Sequence, residues 1–440
     1  MLNADRKKWT ALGFAMVLAV LFTACGSDIP AAVNQAGTPT IVPSLTPSST
    51  STMVNISLST GLTSTPPLSI LVWWPAALYP DEKSAAARTL HGQLTAYTAS
   101  TSQVVTVRVK RNDGLGSIYQ TLLSGSVVAQ SDMPDLALLR RSDLVLAVAA
   151  KLVEQIDTKS LPTADFYPAG LALGQVNGNQ YGIPYVLEVQ QIVYRTTALP
   201  TPPHTLDDLV ANGQPILFPA GAAKGVNTTL LEQYLAVGGQ IADNKGAPTL
   251  SIEPLRAVLH YYEQAAATKI VTPQILDYTS PLQYWQAFLS GKANLVQVDS
   301  TTYLAQRANL TNVGTMPILL SASATPTSAN DGWLWVVTTP DPDRQAQALS
   351  LLAWLIRNDQ QGAFTQAMGV LPSQRSALAA WGNDSYAAFA GTLLEQTAIP
   401  PQDAINLRVA AALQSAFADV ITGQKTADLA ASDAQASVGQ

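Results

Sequence analysis

The stretch NGNQYGIPYVLEVQQIVYR, residues 177–195, decides how this chain is read. Its Gly182-Ile183-Pro184-Tyr185 corner enters a run of aliphatic and β-branched residues, the composition of a strand. One carboxylate, Glu188, stands inside that run. A buried, unpaired carboxylate costs several kcal/mol, so Glu188 requires either a basic partner or a ligand.

Outward from this stretch the chain alternates between two periodicities. LSILVWW (68–74) and VVTVRVK (104–110) read as strands, and DLALL (135–139) as a buried strand. DEKSAAARTLHGQLTAYTAS (81–100) and LGSIYQTLLSG (115–125) read as helices. Alternation of this kind predicts an α/β body with much parallel sheet. Of the 440 residues, 47% are apolar and 12% charged, enough for a sizeable core. The net charge of −6 argues against a nucleic-acid partner, which calls for a basic footprint. A single cysteine rules out an internal disulfide, and three histidines make a Cys/His metal site a poor fit.

That cysteine closes an export-signal pattern. Arg6, Lys7 and Lys8 precede the apolar run WTALGFAMVLAVLF (9–22). Leu21-Phe22-Thr23-Ala24-Cys25 then resembles a bacterial lipobox, which implies cleavage after residue 24 and lipidation of Cys25. An uncleaved anchor is the other reading, although the run falls short of the ~20 residues of a spanning helix. From Gly37 to Pro67, 20 of 31 residues are Ser, Thr or Pro. Such a composition cannot bury enough apolar surface to offset its ordering entropy, so residues 25–67 are expected to be a disordered tether. The body is then extracytoplasmic and held at the membrane.

No catalytic constellation is visible. There is no Gly-X-Ser-X-Gly elbow, no His-Glu-X-X-His and no Walker loop. Ser290-Gly291-Lys292-Ala293 lacks the leading glycine and closing Ser/Thr of a phosphate loop and reads as a helix C-cap. The expectation is a binding protein without enzymatic activity, metal or cofactor.

Five segments, in order, resemble the extracellular solute-binding proteins of the maltose-binding type, the ligand receptors of bacterial ABC importers. They are SILVWWP (69–75), LLSGSVVAQSDMPDLALLRRSDLVLAVAAKLVEQID (122–157), residues 177–195 quoted above, YWQAFLSGKANLVQVDSTTYL (284–304), and DGWLWVVTTPDPDRQAQALSLLAWLIRNDQQGAFTQAMGVLPSQRSAL (331–378). The resemblance implies an α/β, two-lobe periplasmic-binding-protein type II fold with a hinge and an interlobe ligand cleft. It places lobe one at 68–184 plus 333–368 and lobe two at 185–332 plus 369–420. A C-terminal tail, 421–440, small and polar from about Gln424, is expected to fray. The partners implied are a small ligand, a sugar first, and the permease subunits of an ABC importer, with the receptor itself a monomer.

Candidate ligand contacts follow from sugar chemistry, which calls for flat apolar faces and a few placed polar groups. Trp73 and Trp74 alternate at the end of the first strand, and Trp74 is favoured for the cleft. Trp333, next to Gly332, is favoured over Trp335, which reads as core. Glu188 carries over from the family at its own position, with Tyr185 beside it at the corner. Thr301 stands where many sugar-binding members carry tryptophan, with Tyr303 the candidate substitute and Asp299 a candidate acceptor for hydroxyls. Arg140 and Arg141, at a strand's C-terminal end, fit bidentate hydrogen bonds to a carboxylate or phosphate; the alternative is a solvated helix start. Besides a sugar importer's receptor, two readings stay open: a receptor for an anionic ligand such as a uronate or glycerophosphodiester, and a sensor or adhesion module on the same fold.

Overall fold

The computed structural model describes residues 69–128, 132–222, 225–322, 324, 330–399 and 405–439. The export signal, Cys25 and the tether lie outside the described residues. Ten strands are formed among those described: β1 Ser69–Pro75, β2 Val104–Lys110, β3 Leu136–Arg140, β4 Gln175–Val176, β5 Asn179–Gln180, β6 Ile183–Arg195, β7 Leu295–Asp299, β8 Val313–Met316, β9 Asn330–Val337 and β10 Leu371–Pro372. Apart from the β4–β5 hairpin they join one curled sheet, ordered β10-β6-β9-β3-β1-β2, with β7 and β8 also on β6.

The 13-residue strand β6 organises this sheet. Its first half, Ile183–Val189, pairs with β9 and β10; its second half, Gln190–Arg195, pairs with β7 and β8. The crossing therefore falls between Val189 and Gln190, five residues beyond the expected boundary at Pro184. A bulge between Pro184 and Val186 breaks the β6–β9 ladder. Carbonyls freed at a bulge need other donors. Ser373 Oγ donates to Pro184 O (2.6 Å) and Gln361 Nε2 donates to Tyr185 O (3.0 Å) and to Ser373 Oγ (2.9 Å). Leu371-Pro372-Ser373 thus anchors the first half of β6, although the expected boundary assigns it to the second lobe. Opposite the bulge, Gly332 is obligatory: a Cβ there would lie 2.2 Å from Val186 O.

Two parallel pairings, β1–β2 and β1–β3, build the core of the first sheet half, and β9 returns antiparallel to β3. Strands covered on both faces show no polar side. Ile70, Val72 and Trp74 accordingly enter one apolar cluster while Trp73 enters another. Trp74 is fully buried in an aromatic knot with Trp335 (ring centroids 5.1 Å apart), Phe364 (5.8 Å) and Tyr185 (6.1 Å). Its indole N–H donates to Leu78 O at 2.8 Å. The Pro-Asp before β3 has a structural role as well. Asp135, 2% exposed, accepts Leu71 N (2.8 Å) and both Nε and Nη2 of Arg344 (2.7 and 2.6 Å), tying β1 to the helix Pro342–Leu355.

A separate apolar cluster gathers Ile192, Leu295 and the helices Thr228–Ala236, Ile252–Ala267 and Leu407–Ile421 around the second sheet half. The expected fraying tail belongs to it. Residues Ala427–Val438 form a helix whose Ala427, Ala430, Ala431 and Ala434 are buried. Alanine at that spacing puts a narrow apolar stripe on one face, which lets the helix approach its neighbours closely. Lys425 clips it by 2.9 Å contacts to Asp419 and Asp433.

Truncating Trp74 should cost stability. Trp74→Ala is expected to lower the unfolding free energy by about 3–5 kcal/mol, read by urea denaturation. A loss below about 1 kcal/mol would contradict a core role.

Candidate ligand-binding site

On the face of the sheet that carries the aromatic knot, each strand runs from apolar to polar as it nears the β6 crossing. Leu136 and Leu138 lead to Arg140, Trp335 and Trp333 to Asp331, and Val186 to Glu188. The register explains the meeting. Arg140 pairs with Trp333, Trp333 with Val186, and Asp331 with Glu188. Two carboxylates directly across strands repel each other, and the guanidinium of Arg140 lies between them.

Arg140 grips both. Nη1 donates to Glu188 Oε2 (2.9 Å) and Asp331 Oδ2 (2.8 Å), and Nη2 donates to Glu188 Oε1 (3.0 Å). Its guanidinium carbon stands 4.6 Å from the centroid of the Trp333 ring, a cation–π contact. Thr301 Oγ1 adds a donor to Glu188 Oε1 at 3.3 Å. Side-chain exposure falls from 50% at Asp331 to 33% at Arg140 and 14% at Glu188, so Asp331 is the open edge of the group.

The electrostatics follow from burial and pairing. Burial acts to lower the Arg140 pKa, but Glu188 and Asp331 outweigh it and hold the guanidinium above its ordinary value. For Asp331 burial dominates and pushes the carboxyl up; Arg140 opposes this and Glu188 adds to it. Asp299 is also pushed up, by burial first and then by the charge of Glu188, against hydrogen bonds from Thr302.

The second sheet half reaches the same place. Asp299 ends β7 opposite Gln190 and caps the helix Ser300–Gln306, accepting Thr302 N (2.7 Å) and Thr302 Oγ1 (2.9 Å). Ser300 Oγ accepts Val189 N at 3.2 Å, which seats this helix on the crossing. Tyr303 packs 4.8 Å from Tyr386, and Arg307 next to it is bidentate to Asp384 (2.7 Å each).

Of the seven ligand candidates, Arg140, Glu188 and Asp299 thus converge on the crossing; Trp333 lies beside them but is only 3% exposed, with Arg140 over its ring, and Tyr303, one helical turn behind, is buried as well. Trp74 and Tyr185, expected at the cleft, lie in the aromatic knot instead. Trp74 is there because both faces of β1 are covered, Tyr185 because the bulge turns it inward. Arg141 points away and donates to the carbonyls of Leu173 (2.8 Å) and Gln175. Asp331 was not among the candidates; its only sequence signal is the Asp-Gly step before Trp333. A cavity of about 200 Å³ lies elsewhere, between Leu206, Val237, Val258 and Tyr261, and shares no residue with the cluster. Among the described residues no group of His, Cys, Asp and Glu is arranged to hold a metal, and no helix is long and apolar enough to cross a membrane.

The sequence profile described as bacterial extracellular solute-binding protein matches residues 84–390. The chain belongs to that family. No curated protein matches it by sequence. Solved structures share its fold. The sugar-binding protein MalE of Xanthomonas citri superposes with a TM-score of 0.66 at 17% identity, over 84% of this chain and 96% of that one. The cyclic alpha-maltosyl-1,6-maltose binding protein of Arthrobacter globiformis gives 0.64 at 18%, over 85% and 98%. Maltose-bound MalE3 of T. maritima gives 0.62 at 16%, over 84% and 99%. The fold is therefore the two-lobe α/β architecture of these binding proteins.

The raised Asp331 carboxyl has a stability consequence. A folded-state pKa above the unfolded value of about 3.9 means that the ionised group costs stability at neutral pH, a cost that disappears as pH falls below that value. Asp331→Asn is expected to melt higher than the parent at neutral pH, with the difference closing on acidification. A difference independent of pH would contradict the assignment.

Proposed function

We propose that this protein is a lipid-anchored, extracytoplasmic receptor that captures a carbohydrate between its lobes and hands it to the permease of an ABC importer. The observation that carries this reading is the row of Arg140, Glu188 and Asp331, set where the first sheet half passes into the second, with Trp333 buried beneath Arg140 as its support. A sugar offers many hydroxyls, and planar polar groups such as these carboxylates and guanidinium hold them. The names of structural relatives favour the same ligand class: maltose for one, cyclic alpha-maltosyl-1,6-maltose for another. Contacts made by both lobes favour the closed form to the extent that the sugar prefers it. No chemical step is involved. Anchoring through Cys25 and a reach set by the Ser/Thr/Pro tether are supported by residues 21–67 of the sequence.

An anionic ligand is the weaker reading. Arg140 is already bidentate to Glu188 and shared with Asp331, and Arg141 donates to backbone carbonyls.

A panel of mono- and oligosaccharides, screened by thermal shift, is expected to raise the melting temperature for at least one compound. Glu188→Ala is expected to weaken that sugar at least about tenfold, about 1.4 kcal/mol, with the circular dichroism of the free protein unchanged. A flat response across the panel contradicts the sugar reading; unaltered affinity in the variant makes Glu188 a structural acid.

A further inference from the structure

The cluster at the crossing has more acceptors than donors. A carboxylate offers about four acceptor sites. Glu188 uses three of them: two from Arg140 and one from Thr301. Asp331 uses two, from Arg140 Nη1 and from Gly332 N at 2.8 Å, and half of its side chain is open. Its spare acceptor sites therefore sit on the exposed edge of the group, where a bound molecule meets it first. On the donor side, Nη1 of Arg140 is already shared between the two carboxylates.

The charge balance runs the same way. Arg140 faces Glu188 and Asp331 directly, Asp299 is close enough to feel the charge of Glu188, and Asp143 feels that of Arg140. The neighbouring cations are committed elsewhere. Arg141 turns to the carbonyls of Leu173 and Gln175, Arg307 is bidentate to Asp384, and Lys110 lies 4.2 Å over the Trp73 ring on the β1–β2 side.

We infer that the site selects for a sugar that brings donors and positive charge, an amino sugar ahead of its neutral parent, and rejects uronates and sugar phosphates, with Asp331 as the specificity-determining acceptor. The ammonium of an amino sugar supplies three donors and one positive charge to the open carboxylate. A uronate supplies a carboxylate instead, which meets the exposed Asp331 carboxylate and an Arg140 whose Nη1–Nη2 fork is already taken by Glu188. This inference rests on the carbohydrate reading and refines it to a charge class.

The test is calorimetric titration with two matched series, glucose, glucosamine and glucuronate, and galactose, galactosamine and galacturonate, in neutral buffer of low salt. In at least one series the amine is expected to bind about tenfold tighter than the neutral sugar and the uronate about tenfold weaker, a spacing set by one charge contact. Added salt should compress that spacing. Asp331→Asn, which keeps the shape and the acceptor for Arg140, should bring amine and neutral sugar to within about twofold of each other. Equal binding of neutral and charged members, a uronate that binds best, or an amine preference unchanged in Asp331→Asn would overturn the inference while leaving the carbohydrate reading in place. Binding by none of the six would overturn the inference, while the carbohydrate reading is decided separately by the thermal-shift panel that includes oligosaccharides.

Discussion

A single strand shared by the two halves of the sheet is the constraint on which the rest depends. Because β6 gives its first seven residues to β9 and β10 and its last six to β7 and β8, the residues at the changeover belong to neither sheet half alone. Glu188 is the last side chain before that changeover on the face carrying the aromatic knot. Its partners arrive from both sides: Arg140 from β3, Asp331 from β9, and Thr301 from the helix that follows β7. A shift of β6 by one residue would turn Glu188 to the opposite face and dissolve the group. The bulge at Pro184–Val186, held by Ser373 and Gln361 and permitted by Gly332, fixes that register.

The electrostatic character of the site follows from this geometry. Cross-strand pairing sets two carboxylates face to face, and Arg140 makes the arrangement tenable by bonding to both. Partial burial sharpens every one of these interactions, since charges screened less by water attract and repel more strongly. The result is a preorganised acceptor surface, rigid because its register is fixed from both strands. Ligands bind outside the C-terminal ends of strands in open α/β sheets, and Arg140 is the last residue of β3. The position and the chemistry of the group thus agree.

Much of this was legible in the sequence. Residues 177–195 announced a strand, and the misplaced acid in it announced a partner; the alternation of strands and helices announced the α/β body. What sequence periodicity could not supply was orientation. Trp73 and Trp74 do alternate, but both faces of β1 are covered, so alternation had no exposed side to choose. Tyr185 is inverted by a bulge whose only local sign is Pro184. The group Ala427–Val438 reads as small and polar, yet its alanines lie at helical spacing and are buried. Asp331 is hidden for a different reason. It lies more than 140 positions from Glu188 in sequence, and only the β6–β9 register brings the two together.

The most direct test of this account is hydrogen–deuterium exchange with and without the sugar that gives the largest thermal shift. Amide protection follows local opening, so a ligand at the crossing should slow exchange together at 139–143, 186–190, 299–303 and 331–333. These segments come from both sheet halves and are remote in sequence. Joint protection of all four is the predicted result. Protection confined to one sheet half, or centred on the cavity beside Tyr261, would contradict the claim that the shared strand builds the binding site.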